Sequence, residues 1–178
     1  INGYSVRDIR SGTCDLHFFM KEKNINHRYI GSEIVSEMVK LSKEKYPEVE
    51  VYERDILEME DKELYDFTVL SGTFNLPGEV NRLDWEKFCF DMITKMFSTS
   101  KKAISFNFLT SYSTFTDESL FYMDPSKVFD FCMKNLSRYV FVNHGSPLYE
   151  YTITVFKKSF MSQKYHQDDF KKYFKNTM

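Results

Sequence analysis

Two strand-like runs near the end of the chain, residues 139–142 and 149–156, are joined by the seven-residue link 143–149, which contains Pro147. A link that short permits an antiparallel pair and excludes a parallel crossover, which takes about a dozen residues or more. Upstream of it, strand and helix patterns alternate. Strands are predicted at residues 5–10, 27–31, 49–52, 65–72 and 102–109. Helices are predicted at 15–23, from Ser36 to just before Pro47, at 84–97 and at 126–136. Alternation of this kind makes a parallel sheet with helices on both faces. The expected architecture is therefore a three-layer α/β/α sandwich whose seven-stranded, mostly parallel sheet ends in an antiparallel strand.

The helical periods are clear in places. Leu16, Phe19 and Met20 share a face, as do Trp85, Phe88, Cys89, Met92, Ile93 and Met96. Ser36, Asp84 and Asp124 stand where N-caps belong, and Pro125 stands at a first helical position. With 178 residues, 42% hydrophobic and 17% aromatic, the chain suits one domain with a full core. That domain is assigned to residues 1–158, and 159–178 reads as a polar tail, helical near 168–174. The first strand begins almost at Ile1 and no initiator Met precedes it, so a further N-terminal segment is expected.

The net charge of -2 and pI of about 6.1 disfavour nucleic acid as a partner. The basic tail, residues 164–175, is diluted by Asp168 and Asp169. No run approaches the roughly 20 apolar residues of a membrane span. Cys14, Cys89 and Cys132 are odd in number and far apart, with no zinc spacing, and a reduced, cytoplasmic protein is expected. His17 and His27 lack a carboxylate or cysteine at ligand spacing, so no metal site is assigned. Nothing in the sequence sets an oligomeric state.

In an open sheet of this kind a ligand sits outside the carboxyl ends of the strands. Four such ends carry suggestive residues: 8–15, Glu33, Asp55-Ile56 and Ser71-Gly72-Thr73. On these residues, and on the closing hairpin, the chain resembles the class I S-adenosylmethionine-dependent methyltransferases, with their Rossmann-like sheet, over residues 5–157. The resemblance implies S-adenosylmethionine as cofactor; with an acidic pI arguing against nucleic acid, the expected methyl acceptor is an unidentified small molecule. The family's Asp-x-Gly-x-Gly-x-Gly motif would correspond to Asp8-Ile9-Arg10-Ser11-Gly12-Thr13-Cys14. By the same resemblance, Glu33 would take the ribose hydroxyls and Asp55 the adenine amino group. Ile56 would pack on the ring, and Ser71 and Gly72 would lie beneath the sulfonium.

The departures from the motif are specific. Arg10 and Cys14 replace glycines, and Arg7 stands inside a central strand where an apolar residue is expected. Side chains at positions that need positive φ are strained, and a buried guanidinium needs a partner. Three readings stay open: a degenerate site, a rebuilt site in which Arg10 grips a carboxylate or phosphate, or single-base coding changes in an ordinary enzyme. Correspondingly, the function is either methyl transfer to a small molecule or binding and scaffolding by an impaired relative. A dinucleotide oxidoreductase is a remote third. For a proton acceptor the loops offer His144 and Tyr112, with Asn75, Asn107 and Tyr122 nearby.

Overall fold

The structure is a computed structural model that describes residues 3–58 and 63–174. Residues 58–63 read from the sequence as an acidic, exposed segment, and most of that segment lies outside the described residues. The elements are β1 (Tyr4–Ile9), α1 (Asp15–Glu22), β2 (His27–Glu33), α2 (Ser36–Lys45), β3 (Val51–Glu53) and β4 (Tyr65–Leu70). They continue with α3 (Arg82–Ser98), β5 (Ser100–Thr110), β6 (Tyr122–Met123), α4 (Pro125–Asn135), β7 (Val140–Asn143) and β8 (Glu150–Phe156). Two short helices follow, α5 (Lys158–Lys164) and α6 (Asp168–Lys171).

The sheet order is β3-β2-β1-β4-β5-β8-β7, with β6 paired to β5. Every pairing is parallel except those of β8, which runs antiparallel to both β5 and β7. The short link thus does what its length dictates, and the last strand slots between β5 and β7. The stretch 110–124, for which the sequence pattern predicts neither strand nor helix, holds β6. It forms because β5 outruns its neighbour: β4 pairs only as far as Leu70 with Phe106, leaving the tip of β5 free for Tyr122 and Met123.

Two caps differ from expectation. Asn81, not Asp84, caps α3 by accepting the Asp84 amide at 3.0 Å. Val35 precedes α2 with no side-chain cap, and the Ser36 hydroxyl donates to Glu53 at 2.6 Å. Asp124 caps α4 as its Pro125 neighbour requires, accepting the Ser126 amide at 2.7 Å.

Strand alternation divides the sheet into unlike faces. Ile104, Phe106 and Phe108 of β5 and Tyr151, Ile153 and Val155 of β8 point toward α3 and α4. There they meet Cys89, Met92, Ile93, Met96, Val128 and Cys132, all essentially inaccessible to solvent. A smaller cluster, Cys14, Tyr29, Val39, Val49 and Val51, packs α1 and α2 on the opposite face. Beyond α1 that second face is only partly covered. Over β4, β5 and β8 it presents half-buried Phe67, Val69, Ser105, Asn107, Thr152 and Thr154. The tail covers one end of it, where the Phe160 ring of α5 lies 6.3 Å from both Phe67 and Phe156. A sheet that is polar on one face tolerates this where an antiparallel strand takes part.

Arg7 is fully buried in β1. Its guanidinium carbon lies 3.9 Å from the centre of the Tyr65 ring, and Nη2 donates to the Glu63 carbonyl at 3.3 Å. The aromatic face supplies the compensation that a buried cation needs. Tyr151 shows the opposite situation: 1% exposed, its hydroxyl has no hydrogen-bond partner among the described residues. Burial also pushes that phenol well above its usual range. Tyr151→Phe is therefore expected to stabilise the fold by about 1–3 kcal/mol, the cost of an unsatisfied buried hydroxyl. A urea midpoint that falls in the variant would show that the hydroxyl is in fact satisfied.

Candidate cofactor and acceptor cleft

The loop after β1 alternates in hand. Arg10, Gly12 and Cys14 have φ of 55°, 52° and 63°, all in the left-handed region. Glycine adopts this freely, whereas an L side chain costs about 1–2 kcal/mol there. The two non-glycine positions are thus under the strain their identity implied. The loop is held by its backbone: the Arg10 and Ser11 amides donate to the Ser32 carbonyl at 2.7 and 3.3 Å. The Gly12 amide donates to Glu33 Oε2 at 2.9 Å, and the Ser42 hydroxyl donates to the Gly12 carbonyl at 2.9 Å. Beneath the loop, β2 must come close. A Cβ on Gly31 would lie 2.8 Å from Ser11 Oγ and 3.0 Å from Val51 Cγ2.

Asp8 closes the strand. It is 6% exposed, and Oδ2 accepts a hydrogen bond from the Tyr29 hydroxyl at 2.8 Å. Burial pushes its carboxyl up to about 7; the Tyr29 bond opposes this and the nearby Glu33 charge adds to it. Tyr29 stays protonated as the donor, since burial and the Asp8 charge hold its phenol far above its ordinary range.

Asp8 and Arg10 border a cleft of about 510 Å³ at the carboxyl ends of β1, β4 and β5, within the size range of small-molecule sites. Its other wall includes Ser71, Ser105, Asn107 and Glu150. Asn107 organises that wall. Its Oδ1 accepts the Gly72 amide at 2.8 Å, and its Nδ2 donates to the Glu150 carboxylate. Cβ atoms built on Gly12 or Gly72 would meet nothing within 4 Å, so both glycines border open space.

No family model matches the chain. A Mycobacterium tuberculosis protein named "Putative methyltransferase Rv1506c" is 28% identical over 158 residues, which span 88% of this chain and 95% of that protein. Among solved structures, magnesium protoporphyrin IX methyltransferase from Synechocystis PCC 6803 with bound SAM gives a TM-score of 0.63 at 12% identity. That match covers 87% of this chain and 70% of the other. A SAM-dependent methyltransferase from Archaeoglobus fulgidus gives 0.63 at 17% identity, covering 87% and 86%. The fold is that of the class I methyltransferases.

Within this methyltransferase fold the expected ligand residues divide into two groups. Asp8, Arg10 and Ser71 line the cleft. Gly12 and Gly72 border open space through their backbones. Glu33, 4% exposed, is already engaged: Oε1 accepts the Ile34 and Val35 amides at 2.7 and 3.1 Å, and Oε2 accepts Gly12. Asp55 turns its Oδ1 to the Leu57 amide at 2.9 Å. Ile56 is 2% exposed and belongs to the main core cluster with Ile9, Leu70 and Phe74.

Of the loop candidates, Asn107 lines the cleft, and Tyr112, His144, Tyr122 and Asn75 are not among its lining residues. Tyr112 is 68% exposed. His144 is exposed, its ring 6.0 Å from that of Tyr151. Tyr122 accepts the Asp117 amide at 3.0 Å, and Asn75 holds the Leu109 amide at 2.9 Å. Glu150 and Thr152, which sequence reasoning passed over, are the residues the fold does bring in. Strict alternation along β8 was the available signal, since it sets Glu150, Thr152 and Thr154 opposite the apolar Tyr151, Ile153 and Val155.

Proposed function

We propose that the chain is an S-adenosylmethionine-dependent methyltransferase acting on a small-molecule acceptor. The carrying observation is the cleft at the end of β1, bounded by a loop left-handed at residues 10, 12 and 14 and by Asp8. The M. tuberculosis relative and the SAM-bound neighbour support the same reading. The donor set fits the cofactor: an acid, a guanidinium and free backbone space at Gly12 and Gly72 suit a zwitterionic amino-acid end. The net charge of -2 favours a small acceptor over nucleic acid.

When bound, the cofactor supplies a methyl group on a sulfonium with a good leaving group. The protein's part is chiefly to orient the acceptor and exclude water. Asp8 would take the ammonium of the cofactor. Glu150, fixed by Asn107, is the carboxylate placed to accept a proton from a hydroxyl or amine acceptor. Three buried, unpaired cysteines suit a cytoplasmic setting, and no helix among the described residues is long and apolar enough to cross a membrane.

Calorimetric titration with S-adenosylmethionine and S-adenosylhomocysteine tests the reading. Saturable binding of either at micromolar concentrations is expected. An absence of heat at millimolar ligand would overturn it in favour of a scaffold. If Arg10→Gly with Cys14→Gly then restored binding, the two departures would be what disables the site.

A further inference from the structure

We propose that Arg10 grips the carboxylate of the cofactor's amino-acid end, forming with Asp8 a two-sided clamp for a zwitterion. This rests on the cofactor reading above and concerns a residue that replaces a glycine of the family motif.

Three carboxylates line the cleft, and each has a partner of its own. Asp8 accepts from the Tyr29 hydroxyl at 2.8 Å, Asp15 is paired with Lys45 at 3.1 Å, and Glu150 accepts from Asn107. Arg10 lines the same cleft, and its guanidinium makes no hydrogen bond or ion pair among the described residues. Its backbone is fixed by the 2.7 Å bond from its amide to the Ser32 carbonyl, in a conformation that disfavours any side chain. Such an outlier at the edge of a ligand cleft points to a role for the side chain that carries it.

The chemistry selects the ligand. A guanidinium offers paired donors that match a carboxylate in bidentate fashion. A phosphate is poorly suited, because a dianion would face Asp8, Asp15 and Glu150 together. A carboxylate one carbon away from an ammonium is well suited: Arg10 takes the anion while buried Asp8 takes the cation. The adjacent charges of the ligand then neutralise both ends of the clamp.

Calorimetric titration with S-adenosylhomocysteine and with the same compound lacking its carboxylate tests this. The wild-type chain is expected to prefer the carboxylate form by about tenfold to a hundredfold, the range of one charge-assisted interaction. Arg10→Gly and Arg10→Met should erase that preference by weakening the carboxylate form alone, and Arg10→Lys should keep part of it. Glycine is at ease at this φ, so Arg10→Gly should melt no lower than wild type. If Arg10→Gly binds S-adenosylhomocysteine as tightly as wild type, or more tightly, Arg10 is an obstruction and the clamp is wrong, while the cofactor reading stands. If neither chain binds, the cofactor reading fails and the clamp with it.

Discussion

Asp8→Asn is expected to make the folded chain more stable by about 4 kcal/mol above neutral pH, and to remove a downward slope in stability between about pH 4 and 7. The Asp8 carboxyl titrates near 7 in the folded chain against an ordinary value of 3.8. Between those two values the folded state holds a proton that the unfolded chain has released. The contribution of this group to stability is therefore fully present below about pH 4. It is lost as pH rises, at roughly 1.4 kcal/mol per pH unit, until the folded carboxyl ionises near 7. Asparagine has nothing to titrate, and its carbonyl can still accept the Tyr29 hydroxyl. Urea unfolding of both chains across pH 4 to 8 isolates the effect as a difference between variants. Parallel stability profiles would mean that Asp8 ionises freely in the folded state. The same proton reports on binding. A ligand ammonium set against Asp8 should drive the proton off below about pH 7. Binding heats should then vary with the ionisation enthalpy of the buffer in wild type and not in Asp8→Asn.

Glu33→Ala is expected to cost roughly 2–4 kcal/mol in the absence of any ligand. Its carboxylate satisfies three amides, those of Gly12, Ile34 and Val35, and is itself 4% exposed. Removing it strands the Gly12 donor and leaves the loop tied to β2 through the Ser32 carbonyl. Ile34 and Val35 are exposed enough for water to replace part of what they lose, which keeps the figure below the sum of three bonds. A thermal midpoint equal to that of wild type would show that the loop is held by Ser32 and Ser42 alone. The alanine variant therefore cannot separate loop support from ribose binding. Glu33→Gln is milder, and any loss of affinity for S-adenosylhomocysteine should disappear for an analogue lacking the ribose hydroxyls if those are what Glu33 holds.

Much of the fold was legible because it follows from chain length and period. Residues 143–149 leave no room for a crossover, and the antiparallel pairing of β7 with β8 is the consequence. Alternation along 102–109 and the heptad-like stripe from Trp85 to Met96 both describe surfaces that meet in one core. The left-handed turn was legible too, since Asp8 and Gly12 keep its frame while Arg10 and Cys14 sit at its strained positions. What escaped notice depends on partners distant in sequence. The free tip of β5 that recruits Tyr122 and Met123 exists only because β4 stops short. Glu150 and Asn107 lie 43 residues apart and meet only through the β5–β8 register. Asp84 and Asn81 compete for one cap position, and composition does not rank them.

The insertion of β8 between β5 and β7 also governs how the chain emerges from the ribosome. β1 finds both neighbours, β2 and β4, within the first 70 residues, so that half of the sheet can assemble while synthesis continues. The other half cannot. Ile104, Phe106 and Phe108 are paired with Val155, Ile153 and Tyr151, and until those last residues are made one edge of β5 and its aromatic row stay open. A nascent chain stalled near residue 149 therefore displays an eleven-residue strand unpaired along one edge and flanked by apolar side chains. That is the species in which a chaperone has most to cover, and translation of the final hairpin is the event that withdraws it.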